Sequence, residues 1–231
     1  MTKEILQTLR KKSDAKYRDF NAKIVATGQE VLGVRMGELR KIARTIAHDE
    51  EVLRAYAQAD KEGVYELVML EGLALSYSKT PFCKMRESWE AYFEKVDSWA
   101  QIDSPILSLT FADESDKACA WRVARVWSKS RSEFVTRAGL VMLLAHFVER
   151  NRLEEIFAIS ARIKTRAKYV VLANAWLVSV MMPKFPRETL AFLRKNLLDA
   201  KTHNLAIQKS RESFRVSRED KEKLRALQVK A

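Results

Sequence analysis

A chain of 231 residues with 42 Lys and Arg against 30 Asp and Glu carries a net charge of +12, more than a solvated surface needs. That excess favours a polyanionic partner: DNA, RNA or an anionic membrane. Apolar residues make up 47%, enough for a core, and only six Gly and four Pro interrupt the chain, which argues against a loop-rich or all-β protein and for an almost wholly helical one.

Taken in order, the first apolar stripe is Ile5, Leu6 and Leu9 in a helix over 2–12. The charged start Met1-Thr2-Lys3-Glu4 does not read as a signal peptide. Ser13-Asp14 caps a second helix over 15–25 that carries Tyr17 and Phe20 among Lys16, Arg18 and Lys23. Gly33-Val34-Arg35 leads into a third over 36–48, and a short helix over 50–58 follows. The spacing predicts a strongly apolar helix over 66–78, and Thr80-Pro81 starts the next, with Trp89, Tyr92 and Phe93 on one face.

Asp97-Ser98-Trp99-Ala100-Gln101-Ile102-Asp103-Ser104-Pro105 is the central stretch. Asp103-Ser104-Pro105 reads as a helix start, with a short helix over 105–111. Trp99 and Asp103 are four apart, so one helical turn puts both on the same side. The plain alternative makes Asp103 a cap and Trp99 core. Helices over 115–129, 133–150, 152–160, 166–182, 187–195, 202–214 and 217–228 complete the chain. The longest apolar run, Tyr169 to Met182, is broken by Asn174 and too short to cross a bilayer, so it reads as a buried core helix and not a membrane span.

Long and short helices alternate with short connections, and no linker rich in Gly, Ser or Pro marks a second domain. The spacing predicts an all-α fold, an α-α superhelix of HEAT-like antiparallel helix pairs. It would form one domain over 1–231, curved with a concave basic face; a compact bundle is the alternative. Cys83 and Cys119 form no metal spacing and no disulfide framework, which fits a reducing cytoplasm. His48, His146 and His203 stand apart without metal-ligand partners, and no glycine-rich phosphate loop occurs.

What remains is aromatic and basic residues around few carboxylates. Trp99, Trp121, Trp127 and Trp176 are candidates to face a nucleic acid, although core packing is the simpler reading for each alone. Arg137 sits among Phe134, Val135 and Ala138, where an arginine pairs with an acid or a phosphate. Arg162, Lys164, Arg166 and Lys168 form one basic cluster; Lys209, Arg211, Arg215 and Arg218 form another.

Gly33-Val34-Arg35 before Leu39-Arg40-Lys41, Trp99-x-x-x-Asp103-Ser104, Arg137-Ala138 and Ala175-Trp176-Leu177 together resemble the AlkD-like DNA alkylation repair family, the HEAT-like-repeat DNA glycosylases. The resemblance implies a monofunctional enzyme, without metal or other cofactor, that hydrolyses the N-glycosidic bond of cationic N3- or N7-alkylpurines in duplex DNA. It implies a catalytic Asp103, Trp99 and Trp176 flanking the deoxyribose, and Arg137 near the phosphate. Tyr17, Arg35, Arg166 and Lys168 are expected as further DNA contacts, in a monomer of the bacterial cytoplasm and nucleoid. The second helix, Lys16-Tyr17-Arg18-Asp19-Phe20-Asn21-Ala22-Lys23, departs from the family's active pattern and resembles a branch with a different DNA-binding surface. Two other readings stay open: a non-catalytic member that binds damaged or branched DNA, and a protein-binding helical scaffold.

Overall fold

Short polar side chains that reach back to free N–H groups set many of the helix starts. The computed structural model describes residues 2–230. The Asp14 carboxylate accepts from Tyr17 N at the head of α2 (Ala15–Val25), which follows α1 (Thr2–Lys11). Asp49 accepts from Glu51 N and Val52 N to open α4 (Glu50–Gln58), after α3 (Met36–Ala47). The chain divides into two compact units, one ending at Ala120 and one beginning at Trp121.

In the first unit α5 (Tyr65–Tyr77) is the centre. Every residue from Tyr65 to Ser76 is buried, and the helix packs on α1, α3 and α4. It also packs on α6 (Arg86–Phe93) and α7 (Trp99–Leu107). Burial on all sides fits its near-continuous apolar sequence, but two carboxylates ride inside. Glu66 accepts from the backbone N–H groups of Leu32, Gly33 and Val34 at 2.8–3.2 Å. Glu71 pairs with Lys61 at 2.8 Å and Lys95 at 2.7 Å. Gly33 has φ +84, and a Cβ there would lie 2.5 Å from the Arg18 Cβ, so only glycine lets the backbone turn its amides onto Glu66. Leu32-Gly33-Val34, which overlaps the Gly33-Val34-Arg35 motif, is thus a cradle for a buried acid.

The central stretch corrects the expected helix start. Ser98, not Asp103, caps α7, and Pro105 lies inside the helix rather than at its head. A proline there denies a donor to the Gln101 carbonyl. The Tyr92 hydroxyl supplies it, donating to that oxygen at 2.6 Å. Gly72 of α5 makes the room, since a Cβ would lie 2.4 Å from the Tyr92 hydroxyl and 2.6 Å from Pro105 Cγ.

The cysteines are a second correction. Cys83 and Cys119 form a disulfide, their Cα atoms 6.2 Å apart. The cause is Asp116 in the first turns of α8 (Glu114–Trp127), whose carboxylate accepts from Phe82 N and Cys83 N. Cys119 is one helical turn further on, so the acid that anchors residues 82–83 delivers Cys83 to its partner. The expectation that these two cysteines form no disulfide is thereby corrected.

The second unit repeats the plan around α11 (Lys168–Met181), which packs on α9 (Glu133–His146) and α13 (Ala200–Glu212). It also touches α10 (Leu153–Arg162) and α12 (Pro186–Arg194), while α13 meets α14 (Arg218–Arg225). Asn174, which interrupts the apolar run, is fully buried and satisfied by Ser160, whose Oγ donates to Asn174 Oδ1 while Asn174 Nδ2 donates to the Ser160 carbonyl. In both units odd-numbered helices stack side by side and even-numbered ones back them, a helical-repeat packing. The chain is all-α; the one β contact among the described residues is an isolated bridge between Glu30 and Val64.

Candidate nucleic-acid interface

Trp99 is the first residue of α7, and Asp103 follows one turn later on the same side of the helix. The expected juxtaposition is present although the expected helix start is not. Trp99 is half-buried, and its indole N–H donates to the Ile24 carbonyl at 3.1 Å. The neighbours hold the same segment: Ser98 Oγ donates to the Val25 carbonyl, and Asp97 accepts from Thr27 Oγ1 and Gly28 N. Four hydrogen bonds thus tie the start of α7 to the end of α2 and the turn after it, and one of them holds the indole. Asp103 is buried, with 5% of its surface exposed. On α2, Phe20 precedes Ile24 by one turn and is 61% exposed, an aromatic surface that periodicity alone would have assigned to the core.

Tyr17 and Arg35 come together at the other end of α2. The guanidinium lies over the phenol ring, 5.0 Å from its centroid, and donates to Asp14 at 3.0 Å. The Tyr17 amide and the Arg35 side chain beside Asp14 hold its carboxyl below the usual range. Arg35 is exposed, so it can meet a phosphate only by sharing or leaving Asp14. Asp19, an acid unfavourable to phosphate in this helix, is paired with Arg18 at 2.9 Å. Lys12 and Lys41 flank Glu38 and bring its carboxyl down to about 2, so these two cations are already committed.

In the second unit Arg137 is buried, 5% exposed, and donates to the Tyr169 carbonyl at 2.8 Å. Glu133 accepts from Tyr169 N at 2.6 Å, and Phe134 stacks on the Tyr169 ring at 5.8 Å. The first turns of α9 and α11 are thereby clamped together. Trp176 follows Tyr169 by seven residues, about two turns, so it shares that face of α11 some 10 Å along the axis. Trp176 is half-buried. Trp127, by contrast, is core, and Trp121 is covered by Phe147 and by the Arg152 guanidinium at 4.8 Å.

Beside the clamp lies an open cavity of about 450 Å³ between the α8–α9 and α10–α11 loops. Lys129, Arg131, Arg162 and Lys164 line it with Ser130, Ser132 and Thr165. Lys164 is tied to the Leu197 carbonyl. Lys129, Arg131 and Arg162 are exposed and form no ion pair with described residues. The acid on its wall, Glu133, is occupied by Tyr169 N. Such a set of cations and hydroxyls suits phosphate oxygens. Arg166 and Lys168 adjoin it, Lys168 lying 5.5 Å from the Tyr169 ring centroid. The α8–α9 loop, Lys129-Ser130-Arg131-Ser132, escaped the sequence reading, though its alternating cations and hydroxyls were a usable signal.

Among the described residues no three His, Cys, Asp or Glu side chains gather to hold a metal. His203 is buried with Nε2 on the Leu227 carbonyl, a structural role. Among the described residues no helix is long and apolar enough to cross a membrane.

Fold and side chains together describe an all-α helical-repeat protein with half-exposed indoles and uncommitted cations on helix ends. The chain belongs to the family of the DNA alkylation repair enzyme, whose model matches residues 5–214. Membership gives it a part in DNA repair. Comparison with curated proteins and with solved structures gave no match.

Proposed function

We propose that the protein is a monofunctional DNA glycosylase that hydrolyses the N-glycosidic bond of N3- or N7-alkylated purines in duplex DNA. The observation that carries the reading is Trp99 and Asp103 on one turn of α7, in a chain of this family, with the indole locked in place by Ile24.

An alkylated purine is already cationic. When the bond between C1′ and the base nitrogen breaks, the electron pair leaves with the base, which becomes neutral and needs no proton. The sugar takes up the positive charge. A carboxylate set in a low-dielectric surrounding stabilises that charge, and an indole face adds to it. Asp103 is assigned this role, with Trp99 against the deoxyribose. Water then attacks C1′, and Asp103 orients it and takes the proton. One acid suffices where ordinary glycosidases need two. Trp176 is assigned to the sugar and Arg137 to the adjacent phosphate. Tyr17, Arg35, Arg166 and Lys168 are assigned to the flanking backbone, together with Lys129, Arg131 and Arg162. The protein acts as a monomer on DNA in the cytoplasm and uses no cofactor.

A second reading, a non-catalytic binder of damaged or branched DNA, draws support from the burial of Asp103 and from the unusual α2. The two are separated by measuring release of 7-methylguanine from methylated duplex DNA, alongside DNA affinity. The glycosylase reading expects Asp103→Asn to lower release by roughly 10²-fold or more, the size of losing one preorganised electrostatic group, with affinity within about twofold. DNA binding without release from the unmutated protein selects the second reading.

A further inference from the structure

Phe214 is the most exposed large apolar residue of the described chain, at 89%. Local structure forces it out. The chain leaves α13 at Ser213, whose Oγ accepts from Arg215 N, and Val216 is buried two residues beyond Phe214. Held on both sides, the ring has only solvent to face. It lines an open cavity of about 660 Å³ together with Trp176, Lys184, Lys209 and Arg215. That volume lies within the ~300–1,000 Å³ of ligand sites. The cations outnumber the one acid, Glu212, which is engaged by Gln208 at 2.9 Å. Lys184 and Lys209 form no ion pair with described residues, and the Arg215 guanidinium sits 5.6 Å from the Phe214 ring centroid.

Two aromatic rings ringed by cations match a ligand that is both aromatic and anionic. We propose that this cavity is a nucleobase-stacking subsite, which takes an unpaired nucleotide of bound DNA between Phe214 and Trp176 and holds its phosphate with Lys184, Lys209 and Arg215. A base in a paired, continuous stack presents no free face, so the subsite selects DNA with an unpaired or displaced base. The inference rests on the DNA-binding half of the proposed function and shares Trp176 with its catalytic half, while Phe214 belongs to the subsite alone.

The test measures affinity for a duplex with one unpaired nucleotide against the fully paired duplex of equal length, by fluorescence anisotropy at two salt concentrations. The unmutated protein is expected to favour the bulged duplex. Phe214→Ala should lower that preference about tenfold, within the range of one base–aromatic stack, and Phe214→Trp should retain it. Lys209→Gln with Arg215→Gln should weaken both duplexes alike and flatten the salt dependence. A preference that survives Phe214→Ala, or none in the unmutated protein, overturns the subsite. So does a change in melting temperature or sedimentation with Phe214→Ala, which would show that the chain or a second copy covers the ring. Release of 7-methylguanine without bulge preference removes the subsite and leaves the glycosylase. Bulge preference without release removes the glycosylase and leaves the subsite.

Discussion

Pro105 would break α7 if the Gln101 carbonyl had no other donor, and the Tyr92 hydroxyl is that donor. Burial, and then the nearby Glu71 charge, push the Tyr92 phenol well above its ordinary range, which favours the protonated, donating form. Tyr92→Phe keeps the ring and strands the carbonyl, which costs about 1–3 kcal/mol. In a Pro105→Ala background the restored backbone N–H takes over, and the cost of Tyr92→Phe should fall by at least half. Urea unfolding of the four proteins forms a double-mutant cycle. Strictly additive costs would show that the two residues do not share this carbonyl. The same geometry explains why Asp103 could be read as a cap: the proline signal was correct for a helix start in general, but Tyr92 and Gly72 cancel it here from distant positions.

At the scale of elements, Glu66 joins α5 to the segment that launches α3. A fully buried carboxylate is tolerable because three backbone amides meet it. Glu66→Gln keeps the size but turns an NH2 towards an N–H, and it should cost about 2–3 kcal/mol, as for hydrogen bonds to a charged group. Thermal and urea unfolding would measure it, and a loss under about 0.5 kcal/mol, the level of a neutral surface change, would show the cradle to be idle. Helices with strong local signals were legible in the sequence: α2 and α4 start after Asp14 and Asp49 as expected, and the apolar runs became α5 and α11. The Cys83–Cys119 bond was not legible, because the anchor that creates it is Asp116, whose partners are backbone amides without a sequence pattern. Of the candidate site, the Trp99–Asp103 turn was legible by spacing; Tyr17 and Arg35 were expected separately as DNA contacts, and their stacking was not. The exposure of Phe20 and Phe214 was not, since nothing in local sequence says which aromatic a fold leaves outside.

Across the molecule, the +12 charge matters for binding only through the cations that are not already spent. Lys61 and Lys95 are bound to Glu71, and Lys12 and Lys41 to Glu38, so none of these four adds a free phosphate contact. Lys129, Arg131 and Arg162 around the α9–α11 clamp are uncommitted. Counterion release makes the logarithm of the DNA binding constant fall linearly with the logarithm of salt, with a slope of about −0.9 per phosphate neutralised. Arg131→Gln with Arg162→Gln should therefore flatten that slope by about 1.8 if each arginine meets one phosphate. Lys12→Gln with Lys41→Gln removes the same charge and should leave the slope within about 0.5, because those lysines are held by Glu38 rather than by DNA. Binding titrations on a paired duplex from 50 to about 200 mM salt, the range over which such contacts are resolved, compare the two double variants. Equal flattening by both would mean that DNA reads net charge alone. Flattening confined to Arg131 and Arg162 would locate the phosphate track at the cavity beside Tyr169.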